Sequence, residues 1–396
     1  DNYLNCSGVL VHNCGEQPLE AYTDNKGNKF YGSCNLGSVN LSKLVLNPFT
    51  ADAKIDWENL KYAIETGIRF LDNVIDSMEA PLEYIGNEMH RTRRVGLGFM
   101  GWGNMLAMLR IPYNSKDAIN FTKKIGSFFR DTSYNYSSDL SKEKGSFPIF
   151  NKKAYLNSNF VKKLPIDIYK KIKKNGIRNS LLLSIAPTGT LSFSVGNNCS
   201  SGIEPTFSFQ YDRSIRIGGT NDTKVETVYD YGYLKYLEYA KENSISQQEI
   251  PDYFITAHNV NPIQKIDMIA TWQEFIDTAI SNTTNIKKEF SYNDFKDLYA
   301  YAYKKGLKGF TTFWEGGSLK GILSTEKENE YIDRRSAPVR PDELDCDIHE
   351  ISVQGEKYVI LAGRLKGSLY EIFVTDNSSN KLDMERHKTG KICKVG

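Results

Sequence analysis

The stretch YNDFKDLYAYAYKKGLKGFTTFW, residues 292–314, decides the fold class. Its first part carries Phe295, Leu298 and Ala302 at three- and four-residue steps, the repeat of a single helix face. Gly306 closes that helix, because a residue without Cβ adopts the left-handed cap conformation at no steric cost. Gly309 to Trp314 then has strand character. Helix, turn and strand make one α/β unit, and repetition of such units favours strands covered by helices on the outside.

Two further segments extend the pattern. Between Asp56 and Asp76, Leu60, Ile64, Ile68, Leu71 and Val74 lie on one face of an amphipathic helix. Leu181 to Ile185 is a short apolar run ending at Pro187-Thr188-Gly189-Thr190, which reads as a buried strand leading into a turn. The composition changes over Glu326 to Arg340, a polar, charged stretch that reads as a linker. Beyond it, Ile351 to Leu361 and Leu369 to Thr375 alternate apolar and polar residues as antiparallel hairpins do.

The 396 residues, 40% of them hydrophobic and 25% charged, suffice for a sizeable core and more than one domain. A formal charge of +2 supplies no basic field for a nucleic-acid polymer, so any nucleotide is expected as a small molecule. No run of about 18 apolar residues and no signal-peptide pattern is visible, so a membrane span is not expected and a cytoplasmic location is. The six cysteines are too sparse for a disulfide scaffold and lack the spacing of a zinc site. His90, His258, His349 and His387 have no carboxylate or Cys neighbours at metal-ligand spacing, so no metal site is expected.

Three motifs could carry chemistry. Cys14-Gly15-Glu16-Gln17-Pro18-Leu19 sets a thiol two residues from a carboxylate, and Ser33-Cys34-Asn35-Leu36-Gly37-Ser38 follows closely. On residue types alone, each cysteine is more readily a small buried hydrophobe than a reactive group. Ala186-Pro187-Thr188-Gly189-Thr190-Leu191-Ser192 is equally an ordinary capped turn or an anion site at a helix start. Gly96-Leu97-Gly98-Phe99-Met100-Gly101 satisfies the dinucleotide-binding pattern, but Arg91 to Arg94 is no strand and no βαβ context follows, so that reading is rejected.

Cys-Gly-Glu-Gln-Pro-Leu followed by Ser-Cys-Asn-Leu-Gly-Ser-Val-Asn-Leu resembles the active-site segments of ribonucleotide reductases, most closely the adenosylcobalamin-dependent class II enzymes. Immediately upstream, Val9-Leu10-Val11-His12-Asn13 running into Cys14 resembles the downstream splice site of an intein. Together they imply the C-terminal catalytic half of a class II reductase behind an intein end, a fragment of a larger precursor or one half of a split gene. The expected organisation is an intein remnant over 1–13, the reductase barrel over 14–325, a linker over 326–335 and a β-rich domain over 336–396. The fold class is α/β, the second part of the family's ten-stranded α/β barrel, and the isolated half should expose apolar surface.

The resemblance also implies roles. Cys14 would become the thiyl radical that takes the ribose 3′ hydrogen, Glu16 the base for the 3′-hydroxyl, and Cys34 one thiol of the pair whose electrons expel the 2′-hydroxyl as water. The partner of Cys34 would lie upstream. Thr188, Gly189, Thr190 and Leu191 would hold the substrate phosphates, with Gly202-Ile203-Glu204-Pro205 accompanying them. His12, Asn13 and Cys14 would serve splicing, Asn13 by cyclising onto its own carbonyl. Implied partners are a ribonucleotide, adenosylcobalamin held mostly by residues outside this chain, the upstream half, and a dithiol reductant such as thioredoxin or glutaredoxin. A homodimer is compatible with the resemblance. Ala21 to Gly32 is a polar insertion relative to compact family members. Two alternatives remain: a class I large subunit dependent on a dimetal radical subunit, against which Thr312-Phe313 stands where a Tyr-Tyr relay is expected, and a split-intein precursor inactive until ligated.

Overall fold

The computed structural model describes residues 4–6, 9–11, 15–216, 223–246, 250–314, 340–353, 356–375 and 389–393. It divides into two units, Asp1–Thr325 and Glu326–Gly396.

In the first unit the parallel segments lie side by side. Strand Asn35–Asn40 pairs in parallel with Val95–Met100, Asn35 opposite Val95 and Asn40 opposite Met100. The next neighbour is the 181–185 run, whose Leu183 bridges Leu97 in parallel while Leu97 N–H donates to the Leu182 carbonyl at 2.8 Å. Ile185 then bridges Ile280, again in parallel. The same chain continues into strand Thr284–Ile286, which pairs in parallel with Thr312–Trp314. The strand expected over 309–314 is thus confined to its last three residues. The run of parallel neighbours is 35–40, 95–100, 181–185, 279–286 and 312–314, connected through helices as the α/β reading requires.

Helix α1, Trp57–Ser77, begins at Asp56, whose carboxylate accepts the Asn59 N–H at 3.0 Å. Its buried stripe is Leu60, Ile64, Ile68, Leu71 and Ile75. Val74, expected on that stripe, is only partly covered, because after Leu71 the next inward position is a full turn on at Ile75. Each such fully buried aliphatic side chain contributes about 1.5–3 kcal/mol. Helix α2, Glu83–Thr92, ends at Arg93 in the left-handed conformation with φ 46°. Helix α3, Trp102–Met108, is buried along its whole length.

Helix α4, Lys116–Lys144, is the longest of the described residues and went unread in the sequence, because its inward face is largely hydroxylic. Ser137 Oγ donates to Asn179 Oδ1 at 2.9 Å, Ser138 Oγ to the Gly176 carbonyl at 3.0 Å and Ser141 Oγ to the Asn175 carbonyl at 3.0 Å. Small side chains let the chain at 175–179 lie directly against the helix, and each buried hydroxyl finds a partner.

At the beginning of the strands sits a buried charge cluster. Asp72 of α1 is fully buried. It accepts Arg93 Nε at 2.9 Å, Arg178 Nε at 3.2 Å and Asn179 Nδ2 at 3.0 Å, with Lys144 Nζ 3.5 Å away. Arg93 also pairs with Asp76 at 2.7 Å.

The second unit, taken by itself, is a four-stranded antiparallel sheet in the order Ser368–Thr375, Glu356–Leu365, Glu343–Val353, Thr389–Cys393. The alternation read in the sequence corresponds to these strands. Arg340 holds Glu371 bidentately, with Nε at 2.8 Å and Nη2 at 2.6 Å. The linker expected over 326–335 lies outside the described residues. Among the described residues, no helix is long and apolar enough to cross a membrane.

Removing the acceptor from the charge cluster takes the fully buried carboxylate from two guanidinium groups and leaves them the more exposed Asp76. Asp72→Ala is expected to lower stability by about 3–5 kcal/mol, read as a reduced urea midpoint at unchanged slope. A loss below about 1 kcal/mol would show that the cluster is not what fixes the beginning of the strands.

Candidate active site

The segment Gly15–Glu20 crosses the inner face of the parallel strands. The Ala279 N–H donates to the Glu16 carbonyl at 3.1 Å, and Gln17 Nε2 donates to Thr278 Oγ1 at 3.4 Å. Two strands away, Arg94 Nη1 donates to the Pro18 carbonyl at 3.1 Å and Nη2 to the Glu20 carboxylate at 2.6 Å.

Gly96 is the seat of this crossing. A Cβ there would meet Ser184 Oγ at 2.5 Å, Leu36 Cδ2 at 2.6 Å and Gln17 Nε2 at 2.7 Å. Only a residue without a side chain lets the segment lie so close to the strand. Gly96 and Gly98 lie within a strand, not in the tight strand-to-helix turn that a dinucleotide pyrophosphate needs, which is the physical reason the Gly-rich pattern has no cofactor to bind.

From Glu20 the chain turns into a hairpin, Ala21–Thr23 against Lys29–Tyr31, so the polar insertion has a defined form. The Asp24 carboxylate accepts the N–H groups of Lys26 and Asn28, each at 2.9 Å, and closes the turn. Tyr22 stacks on Phe30 at 4.9 Å, and the Arg91 guanidinium lies 4.8 Å from the Phe30 ring centre. The Gly32 N–H donates back to the Glu20 carbonyl at 2.8 Å. The hairpin thereby returns the chain to the same place and delivers Cys34 to the beginning of strand 35–40.

Cys34 is a free, partly buried thiol. Burial pushes its pKa up to about 12; the Arg94 charge opposes that shift, while the Asp277 and Glu16 carboxylates add to it. Glu16 and Cys34 are therefore close enough for the carboxylate to disfavour the thiolate. Asp277 is itself buried and held by the Tyr134 hydroxyl at 2.7 Å and the N–H groups of Leu182 and Leu183 at 2.8 and 2.9 Å. Burial raises its pKa despite those three donors.

Thr188, Gly189, Thr190 and Leu191 form the beginning of the short helix Gly189–Ser194. Thr188 has φ 52° and caps nothing with its side chain; its Oγ1 instead accepts the Gly202 N–H at 2.8 Å. Gly189, Thr190 and Leu191 are exposed, and a Cβ at Gly189 would meet nothing within 4 Å.

Gly202-Ile203-Glu204-Pro205 is anchored independently. The Glu204 carboxylate accepts the Thr283 N–H at 2.7 Å and pairs with buried Lys265, and Tyr113 Oη donates to the Ile203 carbonyl at 2.8 Å. Behind it, Asn104 holds the Ser200 N–H at 2.7 Å and Asp230 at 2.7 Å, and burial raises the Asp230 carboxyl to about 6.

Of the residues singled out in the sequence, Glu16 lies on the segment that crosses the strands, its carboxylate adding to the rise in the Cys34 pKa, and Thr188 to Leu191 form one exposed helix start. His12, Asn13 and Cys14 lie outside the described residues. Sequence reasoning missed Arg94, Gly96, Ser184 and Asp277. The only local signal was the glycine-rich run itself.

Residues 12–313 match the family model described as the barrel domain of ribonucleotide reductase. The chain belongs to the ribonucleotide reductase barrel family. Residues 344–396 match the NrdJ homologue C-terminal domain. A vitamin B12-dependent ribonucleoside-diphosphate reductase of Thermoplasma acidophilum is 35% identical over 325 residues, covering 78% of this chain and 38% of that protein. One of Mycobacterium tuberculosis is 30% identical over 323 residues, covering 79% and 42%. The subunit alpha of a ribonucleoside-diphosphate reductase of Chlamydia pneumoniae is 29% identical over 370 residues, covering 85% and 33%. The chain spans about two fifths of the length of the vitamin B12-dependent relatives it matches. As a reductase barrel chain it shows the parallel strands and a partly buried cysteine just before one of them. Closure of the barrel and a count of ten strands lie beyond the described residues.

A thiol raised this far stays protonated at neutral pH. In the folded chain Cys34 is expected to react with iodoacetamide at pH 8 at less than about one hundredth of the rate of an ordinary exposed thiol, followed by mass mapping. A rate within about threefold of an ordinary thiol would contradict the burial that suppresses the thiolate.

Proposed function

We propose that this chain supplies the catalytic loop of a cobalamin-dependent ribonucleotide reductase. The observation that carries this is the Gly15–Glu20 segment laid across the parallel strands, held by Ala279 at one end and Arg94 at the other, with the hairpin that follows it returning the chain to Cys34 at the start of strand 35–40. The names of the Thermoplasma acidophilum and Mycobacterium tuberculosis relatives support dependence on vitamin B12 and a ribonucleoside diphosphate as substrate. The class I alternative is not favoured: Thr312 and Phe313 cannot form tyrosyl radicals.

In this reading Cys14 is the radical sulfur. It removes the ribose 3′ hydrogen and returns it at the end of the cycle. Glu16 takes the 3′-hydroxyl proton once that C–H bond is broken, the work of a base in hydrogen-bond reach. The C2′–O bond then breaks, and the oxygen leaves as water with a thiol proton. Cys34 and a second thiol from the upstream part together give two electrons and two protons, ending as a disulfide, so that one ribonucleotide and two thiols become one deoxyribonucleotide, one disulfide and one water. A thiol kept protonated suits that donor role. Thr188 to Leu191 meet the phosphates through main-chain N–H groups at an exposed helix start. A dithiol protein such as thioredoxin or glutaredoxin then reduces the disulfide.

Adenosylcobalamin would generate the radical. Among the described residues no group of three or more His, Cys, Asp or Glu is gathered for a metal ion. Leu36, Gly96, Gln17 and Ser184 of the inner face likewise offer cobalt no ligand set, so its contacts are assigned to the upstream part and no step is drawn through it.

The same proposal includes a splice junction at His12-Asn13-Cys14. Asn13 attacks its own carbonyl to form a succinimide and free the leader, and Cys14 becomes the first residue of the ligated enzyme. It is supported by the His12-Asn13-Cys14 motif alone; the family match covers residues 12–313 and so leaves residues 1–11 outside it.

The deciding assay is anaerobic reduction of ribonucleoside diphosphates by the chain joined to its upstream part, with adenosylcobalamin and a dithiol as the only additions. Turnover without a dimetal subunit is expected, and turnover that appears only when such a subunit is supplied would assign the chain to class I. Cys14→Ser should remove turnover while substrate still binds; substantial residual reduction would take the radical role from Cys14. Asn13→Ala should block release of residues 1–13 by intact mass, and normal cleavage in that variant would end the splicing reading.

A further inference from the structure

Arg93 and Arg94 are adjacent yet serve opposite sides of the strand layer. Arg93, turned by its left-handed backbone, is spent on Asp72 and Asp76 beneath α1. Arg94 reaches the inner face, its side chain only 8% exposed. There it meets the Pro18 carbonyl and the Glu20 carboxylate, two acceptors separated by a single residue. A planar fork of fixed N–H donors can serve both at once, whereas a lysine ammonium presents one point of charge. Glu16 is itself the other fixed point of the segment, its carbonyl accepting the Ala279 N–H.

If Arg94 is lost, Pro18 and the Glu20 carboxylate lose their shared partner, and the segment is held only at its two ends, by the Ala279 N–H on the Glu16 carbonyl with Gln17 on Thr278, and by the Gly32 N–H on the Glu20 carbonyl. The stretch between those ends is then freer to shift, and the Glu16 carboxylate with it. Arg94 is also the positive charge that faces the Cys34 thiol, so the same side chain touches the electrostatics of both groups.

We propose that Arg94 is a positioning residue of this site: by gripping Pro18 and Glu20 with one guanidinium, it fixes where Glu16 lies relative to Cys34. The inference deepens the reductase reading and rests on it for its kinetic consequence, but its structural half does not.

Hydrogen exchange on the full 396-residue chain tests the structural half. In Arg94→Met, amides of residues 16–21 should exchange about tenfold faster or more, while those of α4 are unchanged. Glu20→Gln, which keeps Arg94 but weakens one of its two acceptors, should give a smaller rise in the same peptide and keeps the question open to measurement should Arg94→Met fail to fold. In the enzyme assembled with its upstream part, Arg94→Met should lower kcat by about a hundredfold with KM within about threefold, since a small displacement of a reacting group costs rate before affinity. Arg94→Lys should restore part of that rate. Unchanged exchange over 16–21 in both variants, or a fall in kcat matched by an equal loss of folded enzyme, overturns the proposal. A wild-type assembled enzyme that reduces no nucleotide sinks the reductase reading instead, and the exchange result then still decides whether Arg94 holds the segment.

Discussion

A buried carboxylate must be neutralised where it lies, and Asp72 sets the terms for everything built above it. Its partners come from three separate places: Arg93 just before strand 95–100, Arg178 and Asn179 just before the 181–185 run, and Lys144 at the end of α4. Arg178 Nη1 also donates to the carbonyls of Lys144 and Gly145 at 3.0 and 3.2 Å, so the helix end is held by the same group. Uncompensated charge in the interior costs several kcal/mol. The neighbouring strands can therefore begin only where their guanidinium groups reach α1, which fixes their stagger. Asp277 repeats the device further along, accepting the Leu182 and Leu183 N–H groups and linking the next parallel segment to Tyr134 of α4.

The candidate site inherits its geometry from that stagger. Gly96 must stand level with Ser184 and Thr278 for Gln17 to rest over all three, and a slip of one residue would replace it by Leu97, whose side chain belongs to the core on the opposite face. Arg94 is available to the loop because Arg93 has taken up the charge beneath the sheet. The hairpin at 21–31 then closes the path between Glu16 and Cys34, with Arg91 stacked on its aromatic pair. Three arginines within four residues thus anchor the hairpin, the core and the loop.

What was legible in the sequence follows from the range of the interactions. Helix α1 and the 292–304 helix announce themselves because their partners are one apolar layer and the three- and four-residue repeat is local. Helix α4 does not, since Ser137, Ser138 and Ser141 face inward and bond to a chain more than 30 residues away in sequence. The candidate cysteine and carboxylate are singled out through their motifs. Arg94, Ser184 and Asp277 were not, because each acts on residues 74 or more positions away and carries no periodic mark. In the second unit the alternation showed strands, while the pairing of 343–353 with 389–393 spans too much chain to be read from pattern.

Strand 312–314 bears on how a radical could reach the loop. Thr312 lies opposite Thr284, and its hydroxyl is 3.0 Å from that of Tyr299. That phenol is 41% exposed, and its described ring neighbours are Phe295 at 5.3 Å and Phe310 at 5.1 Å, neither of which carries a hydroxyl. A relay by successive tyrosyl radicals needs phenols in contact, each able to give up its proton as it is oxidised. Here the one phenol at the strand faces a threonine and two phenylalanines, so among the described residues a charge entering at Tyr299 has no second tyrosine in ring contact to pass to. This strand therefore gives no support to the class I alternative, which the vitamin B12-dependent relatives likewise do not favour.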